Sequence, residues 1–262
     1  MENLAKILLV NLSLLLSLPS FWVQAEECQF EPWQEYKQQQ LLRNPTKSAF
    51  LFQTEHKAID ADGAPNAYHP ENTGLDNYLN AGYPNSNWWN SVLVEDPSDP
   101  TKPYVQKEGD FAGYFISKTS LFDKSRADLD VSRYVDATKI PYLVYPGKFY
   151  NKKGTGRLGD IGVAFNLKSG EHSAFVVADV GPKNASLGEM SMALAEGLGG
   201  NNVNPRNGAG APKGDILYVL FPFSSRSYSW PLELDEIHKI GEELVGSIGG
   251  TASIMACASQ QG

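Results

Sequence analysis

The stretch from Ser173 to Gly199 constrains the fold of this chain more than any other segment. The segment Ala174–Val180 is rich in Val and Phe and predicts a buried strand. The Gly-Pro pair that follows ends this strand, because proline has no backbone N–H to donate to a neighbouring strand. Ser186 and Glu189 have the spacing of a capping box, and apolar residues recur at helical intervals after them. The stretch therefore predicts a strand, a short loop and a helix that begins near Ser186.

Two carboxylates border the loop of this predicted unit. Asp179 lies at the end of the strand, Glu189 in the first turn of the helix, and nine residues separate them. If the two carboxyls converge in a cleft, one could act as a general acid and the other as a general base. A structural interpretation is also open, in which Glu189 only caps the helix and Asp179 only accepts hydrogen bonds from loop amides.

A second acidic pair follows the strand predicted at Ala49–Ile59. Asp60 and Asp62 either belong to a site or form a plain Asp-Gly turn with Gly63. A calcium loop that begins at Asp60 would place Pro65 where an EF-hand requires glycine. The two cysteines are too few for a cysteine metal site, and the four histidines lack metal-ligand spacing. We therefore expect no metal and no cofactor.

The N-terminus has the pattern of a secretory signal peptide. Lys6 precedes the apolar run Ile7–Leu18, which is too short for a spanning helix, and Ala25 fits a small-residue cleavage site. We expect residues 1–25 to be removed and residues 26–262 to form one domain, secreted or periplasmic. After cleavage the sequence gives no reason to expect a membrane partner.

Charge and cysteine content limit the partners and the compartment. The formal net charge of -8 makes nucleic acid and anionic membranes poor candidates and suits a cationic substrate. Cys28 and Cys257 lie at opposite ends of the mature chain. In an oxidising compartment we expect them to pair, although the sequence leaves open whether they do.

The rest of the chain predicts an α+β domain. Gly159–Leu167 alternates and turns back into the Ala174–Val180 strand as a hairpin, and Leu232–Ile248 has the pattern of an amphipathic helix. Glu26–Lys47 predicts a short helix or an extended arm. Six or seven strands and two or three flanking helices, without β-α-β alternation, favour a partly closed, mixed or antiparallel β-barrel. No dinucleotide or serine-hydrolase motif is present.

Aromatic residues in the turn-rich region could contact a ligand. Trp88 and Trp89 are adjacent, and His69 follows the second acidic pair. Exposed aromatic rings can stack on sugar faces, but paired tryptophans also pack under loops. Both interpretations stay open for Trp88 and Trp89.

Three segments, in order, resemble glycoside hydrolase family 75. They are Ile59–Ala64, Val177–Pro182 and Gly188–Ala195, and the last, G-E-x-S-x-A-L-A after an Asp-bearing strand, is the most specific. Arg133–Asp136 and Ile140–Tyr142 are similar to the bacterial branch of the family. The resemblance covers roughly Ala49 to Phe221.

The resemblance implies a chitosanase-like, endo-acting glycosidase. Members cleave β-1,4 links between glucosamine units with inversion, using one Asp and one Glu, which match Asp179 and Glu189. It also implies a double-psi-like barrel and a cationic amino-sugar polysaccharide as partner. We expect the substrate-binding residues to be the following: Asp60, Asp62, His69, Trp88 and Trp89.

Two departures from the fungal pattern concern the substrate more than the chemistry. Ala61 replaces the cysteine of the fungal D-x-D-G segment, and Lys183 lies in the loop between the two carboxylates. A cation there could lower the pKa of a neighbouring carboxyl and would repel a glucosamine ammonium. Other interpretations are therefore a barrel enzyme acting on peptidoglycan and a non-catalytic carbohydrate-binding protein. The sequence does not indicate the oligomeric state.

Overall fold

A computed structural model describes residues 27–258. The predicted signal peptide, residues 1–25, lies outside the described residues. None of the helices between residues 27 and 258 combines the length and the apolar character needed to cross a membrane.

The described chain is an α+β structure dominated by strands. The strands are β1 Glu31–Tyr36, β2 Gln39–Arg43, β3 Phe50–Thr54, β4 Ala58–Asp60, β5 Glu95–Asp96, β6 Asp99–Pro103, β7 Tyr142–Pro146, β8 Ile161–Asn166, β9 His172–Gly181, β10 Glu189–Ser191 and β11 Ile216–Leu220. The helices are α1 Gly147–Tyr150, α2 Met192–Gly197, α3 Leu234–Gly246 and α4 Gly250–Ala258.

Nine of these strands form one mixed sheet, in the order β1-β2-β3-β11-β8-β9-β7-β10-β4, while β5 and β6 pair separately. Two neighbouring pairs are parallel, β7 with β9 and β10 with β4, and the other pairs are antiparallel. The mixed sheet and the β8–β9 hairpin are as the sequence predicts. The strand order has free ends at β1 and β4, so the barrel stays a prediction.

Apolar side chains cover both faces of the sheet. Along β9, Val176 belongs to one buried cluster and Val177 to the other, and Leu217 and Tyr218 alternate in the same way along β11. A strand that is buried on both faces needs no polar side, which explains why these segments are continuous apolar runs. Helix α3 packs on β8 and β9.

Two elements, the β1–β2 hairpin near the N-terminus and helix α4 near the C-terminus, differ from the sequence prediction. In the described part of the segment predicted as a helix or an extended arm, Glu26–Lys47, β1 and β2 form an antiparallel hairpin. Its two-residue turn, Lys37 and Gln38, has positive φ at both positions, the conformation that tight hairpins require. Helix α4 was not predicted, since its apolar residues show no helical periodicity. It carries Cys257, which forms a disulfide with Cys28, as the sequence suggested.

The predicted helix start at Ser186 is wrong. Glu189 lies in β10, which pairs with β4 on one side and β7 on the other, and α2 begins only at Met192. Ser191 is the cap: its Oγ accepts from the Leu194 amide at 3.1 Å. Gly188, at φ 112°, has a conformation that a helix cannot contain. Glu189 is therefore a strand residue rather than a capping residue.

Candidate active site

The four predicted carboxylates lie on neighbouring strands of the sheet. On β7, Val144 pairs with Asp179 of β9, and its neighbour Leu143 pairs with Met190 of β10. Asp179 and Glu189 therefore flank the same part of β7 from its two sides. On the far side of β10, Asp60 pairs with Ser191. The topology thus brings both acidic pairs together, although they are more than a hundred residues apart in sequence.

Asp60 is held by a buried tyrosine and by the turn that follows it. The Tyr142 hydroxyl donates to Asp60 Oδ2 at 3.0 Å, and it also lies 3.0 Å from the carbonyl oxygen of Asp62. The Asp62 amide donates to Asp60 Oδ1 at 2.9 Å. Only 7% of Asp60 is exposed. Both oxygens of this carboxyl therefore have a donor in the described structure.

One donor to Asp62 comes from a distant loop. The Ser117 hydroxyl donates to Asp62 Oδ1 at 2.9 Å, and both residues are buried. The next residue, Gly63, has φ 76°, and a Cβ atom there would lie 2.1 Å from the Val135 carbonyl oxygen. Glycine is thus required at position 63 both by its positive φ and by the close approach of the Val135 backbone.

Asp179 is held on one oxygen by one residue. The amide and the hydroxyl of Ser120 both donate to Asp179 Oδ1, at 2.8 Å and 2.5 Å. Ser120 precedes Leu121, whose amide donates to the Ala178 carbonyl oxygen at 2.8 Å. The loop at Ser120 is therefore hydrogen-bonded along the end of β9.

Glu189 lies in a different environment. None of the hydrogen bonds found among residues 27–258 ends on its carboxyl group. A Cβ atom at Gly181 would lie 3.1 Å from Glu189 Oε2, so this carboxyl lies over the end of β9, two residues beyond Asp179. Burial, and then the charges of Asp179 and Asp76, raise the pKa of Glu189 to about 7.

The pKa values of the three aspartates are raised as well. Burial is the largest cause for each, and the like charges of the cluster add to it for Asp60 and Asp62, while the Ser120 hydrogen bonds partly offset it for Asp179. Since buried like charges this close cannot all ionise, the cluster retains protons that isolated aspartates would lose.

One oxygen from each of Asp60, Asp62 and Asp179 lies within 4.8 Å of the others. Carboxylates at such distances could hold a hard cation. Each of the three carboxyls also accepts a hydrogen bond within the described chain, and we assign no metal to the cluster.

The other predicted residues are not joined to this cluster. The His69 ring accepts a hydrogen bond from the Glu71 amide and contacts the Tyr114 ring. Trp89 packs against the main core, as the structural interpretation expected, whereas Trp88 is 46% exposed. The exposed Lys183 side chain is not among the charges that shift the pKa values of Asp179 and Glu189. Substrate contact by His69, Trp88 and Trp89 stays a prediction.

Several site residues were missed by the sequence analysis. They are Tyr68, Ser117, Ser120 and Tyr142. The hydroxyl-rich segment at 117–120 offered the only signal, because hydroxyls beside a short predicted strand can serve as donors. The Tyr68 ring is buried, and its hydroxyl lowers the pKa of both Asp62 and Asp76.

A cavity of about 530 Å³ opens beside Ser120. Its walls come from the segments 91–100 and 118–134, and they include Glu95, Asp96 and Asp128 as well as Lys118 and Arg133. The volume is within the range of small-ligand sites.

Comparison with known proteins does not identify the chain. It matches no known protein-family model, and no curated protein is significantly similar to it.

Proposed function

We propose that this protein is a glycoside hydrolase that cleaves β-1,4 links in chitosan or a related amino-sugar polymer, with inversion. The observation that carries the proposal is the contrast between two neighbouring carboxyls. Asp179 has two donors on one oxygen, whereas Glu189 has none and has a pKa of about 7. When the environments of two neighbouring carboxyls favour different protonation states, the ionised carboxyl can act as the base and the protonated one as the acid.

The chemistry follows from these two environments. Glu189, protonated below about pH 7, donates its proton to the glycosidic oxygen as the bond from C1 breaks. Asp179, ionised, takes a proton from a water molecule as the water oxygen forms the new bond to C1 on the opposite face. The two products are a sugar with an inverted hemiacetal and a sugar with a free hydroxyl.

The strand spacing suits inversion. Asp179 and Glu189 lie on the two strands that flank β7, so their backbones are about 9.5 Å apart, twice the spacing of neighbouring strands. Inverting glycosidases need about 6.5–9.5 Å between the carboxyl groups to leave room for the water. The Glu189 carboxyl reaches over Gly181, which is two residues or about 6.6 Å along β9 from Asp179, and this separation is compatible with that interval.

The substrate class rests on charge. Asp60 and Asp62 add two carboxyls beside the proposed pair, and a sugar ammonium would favour their ionised forms. The net charge of -8 would attract a cationic polymer over a longer range. In this proposal Trp88, Trp89 and His69 provide sugar contacts further from the bond that is cleaved.

The finer features of the fold and location belong to the same proposal. β3 and β4 are separated by only residues 55–57, yet β3 pairs with β11 near the middle of the sheet and β4 with β10 at its end. This path supports a sheet that curls back on itself as a double-psi-like barrel. The disulfide supports an oxidising compartment, secreted or periplasmic, reached through the predicted signal peptide.

The test is release of reducing ends from soluble chitosan by the chain that begins at Glu26. We expect turnover by the parent and a loss of at least about a hundredfold in Asp179→Asn and in Glu189→Gln, since general acid-base catalysis contributes about that much or more. Glu196→Gln, an exposed glutamate of α2, is the matched control. Turnover of peptidoglycan and not of chitosan would change the proposed substrate to peptidoglycan. Binding of either polymer without turnover would contradict the proposed activity.

A further inference from the structure

Ser120 makes three hydrogen bonds to the end of β9. Its amide and its hydroxyl donate to Asp179 Oδ1, and its Oγ accepts from the Val180 amide at 3.2 Å. The hydroxyl proton is therefore donated to Asp179, while one lone pair of the hydroxyl oxygen accepts from Val180. Two partners at fixed places on one strand define the rotamer of the side chain.

This arrangement excludes two other roles for the hydroxyl. A hydrogen-bond donor to a substrate needs a free proton, whereas the one proton of this hydroxyl is donated to Asp179. A loop tether is already provided by the neighbouring backbone bond, from the Leu121 amide to the Ala178 carbonyl oxygen. What the Ser120 hydroxyl adds to this tether is a second donor to one oxygen of Asp179.

The two hydrogen bonds of Asp179 both end on one oxygen, and the nearby Val180 amide, which also lowers the pKa of Asp179, does not form a hydrogen bond of normal geometry to the other oxygen. No hydrogen bond found among residues 27–258 ends on Oδ2, while both bonds from Ser120 end on Oδ1. We propose that Ser120 is a positioning residue, which holds Asp179 by Oδ1 so that Oδ2 takes the proton of the attacking water. This inference rests on the proposed function and deepens it, because it assigns the base.

The charges around Asp179 show why a positioned donor is needed. The titratable groups that face it are Asp60 and Asp62 after β3, Tyr142 of β7 and Glu189 of β10, and all are acidic. The charge of Asp179 raises the pKa of each of these groups, while burial raises the pKa of Asp179 itself. The donors of Ser120 act in the opposite direction, and with the Val180 amide they lower the pKa of Asp179 against the effect of burial.

The experiment compares Ser120→Ala with Ser117→Ala in the full mature chain. Both variants remove one hydroxyl donor from the same loop, but Ser117 serves Asp62 and Ser120 serves Asp179. Carboxyl ¹³C titration by NMR follows each aspartate without requiring turnover. The pH dependence of kcat on chitosan is measured in parallel, and Ser120→Thr, which restores a hydroxyl, is the conservative rescue.

We expect Ser120→Ala to raise the pKa of Asp179 by about one unit or more, the effect of losing one hydrogen bond to a charged group. The acidic limb of the kcat profile should move by the same amount, with KM little changed, and Ser120→Thr should recover most of it. Ser117→Ala should shift Asp62 instead.

Two results would overturn the inference. One is an Asp179 titration that is the same in Ser120→Ala and in the parent. The other is a uniform loss of kcat in Ser120→Ala at every pH, which indicates a structural role. If the parent cleaves neither chitosan nor peptidoglycan, the proposed function fails, while the NMR titration still decides whether Ser120 controls Asp179.

Discussion

At the residue scale, the acidic side chains could be predicted from the sequence and their donors could not. Asp60, Asp62 and Asp179 stand out because each ends or follows an apolar strand, and Glu189 because it has the spacing of a capping box with Ser186. The hydroxyl that holds Asp179 is 59 residues away, and the one that holds Asp60 is 82 residues away. No local pattern encodes such a pairing, since it depends on which strands become neighbours.

The pH dependence of catalysis follows from the Glu189 environment. The acid must be protonated, and its pKa is raised to about 7, so kcat should fall as the pH rises through about 7. The base must be ionised, and its pKa is also raised, so the acidic limb should lie above the usual range of an aspartate. Initial rates across pH 4–9 measure both limbs. A kcat that still rises above pH 8 would contradict this assignment of the acid.

The contribution of Asp60 to stability should depend on pH in the opposite direction from that of most buried, paired carboxylates. The pKa of Asp60 is raised in the fold, so folding favours its protonated form. That contribution is present at low pH and is lost as the pH rises through the folded-state pKa. Asp60→Asn should therefore raise Tm at pH 8, by roughly 2–4 °C for each kcal/mol of ionisation cost removed. The gain should disappear near pH 4.

Asp160 provides the control for this prediction. It is also buried, but it accepts four hydrogen bonds, from Arg157, from Phe223 and twice from Ser225. An asparagine at 160 would direct an amide donor at backbone amides, so Asp160→Asn should lower Tm at both pH values. At Asp60, in contrast, the Tyr142 hydroxyl can donate to the Asp62 carbonyl oxygen and accept from the new amide. Thermal scans of both variants at pH 4 and pH 8 are the measurement. A lower Tm for Asp60→Asn at pH 8 would refute the account of the cluster.

At the element scale, the strands were predictable and the beginning of one helix was not. Apolar runs and alternation identify β3, β7, β8, β9 and β11, because each of these strands packs over several residues. The Ser186–Glu189 pair matches a capping box by spacing alone, yet Glu189 begins a three-residue strand instead. Pairing with two neighbouring strands outweighs the weak local preference of so short a segment.

Gly188 determines this outcome, and its replacement tests it. A Cβ atom at Gly188 would lie 2.2 Å from the His56 carbonyl oxygen, whereas one at Gly170 would meet no atom within 4 Å. Both glycines have positive φ. Gly188→Ala should therefore reduce the free energy of unfolding by about 2 kcal/mol or more beyond the cost of Gly170→Ala. Urea unfolding measures the difference, and equal costs would show that the contact does not constrain β10.

At the scale of the whole molecule, the sequence predicts the class but not the complete sheet. The α+β composition, the mixed sheet and the pairing of Cys28 with Cys257 agree with expectation. The sheet has nine strands in the described chain rather than six or seven. The β1–β2 hairpin accounts for two of them, and its polar sequence lacks the alternation by which a strand is recognised.

The disulfide should matter for the stability of the whole chain. It joins residues that are 229 positions apart, so it restricts the unfolded chain over nearly the full length of the described region. The double variant Cys28→Ser/Cys257→Ser should lose about 2–5 kcal/mol of unfolding free energy. Chemical denaturation with and without a reductant gives the value. A reductant that destabilises the double variant as much as the parent would point to another cause.

The anomeric configuration of the first product tests most directly whether Glu189 is the acid and Asp179 the base of an inverting glycosidase. Proton NMR during hydrolysis of a glucosamine oligomer would observe the new reducing end before it mutarotates. Cleavage by Glu189 as acid and Asp179 as base predicts the α-anomer from a β-link, because the water attacks from the opposite face. Initial appearance of the β-anomer would indicate a covalent intermediate and contradict the assignment of Asp179 as base.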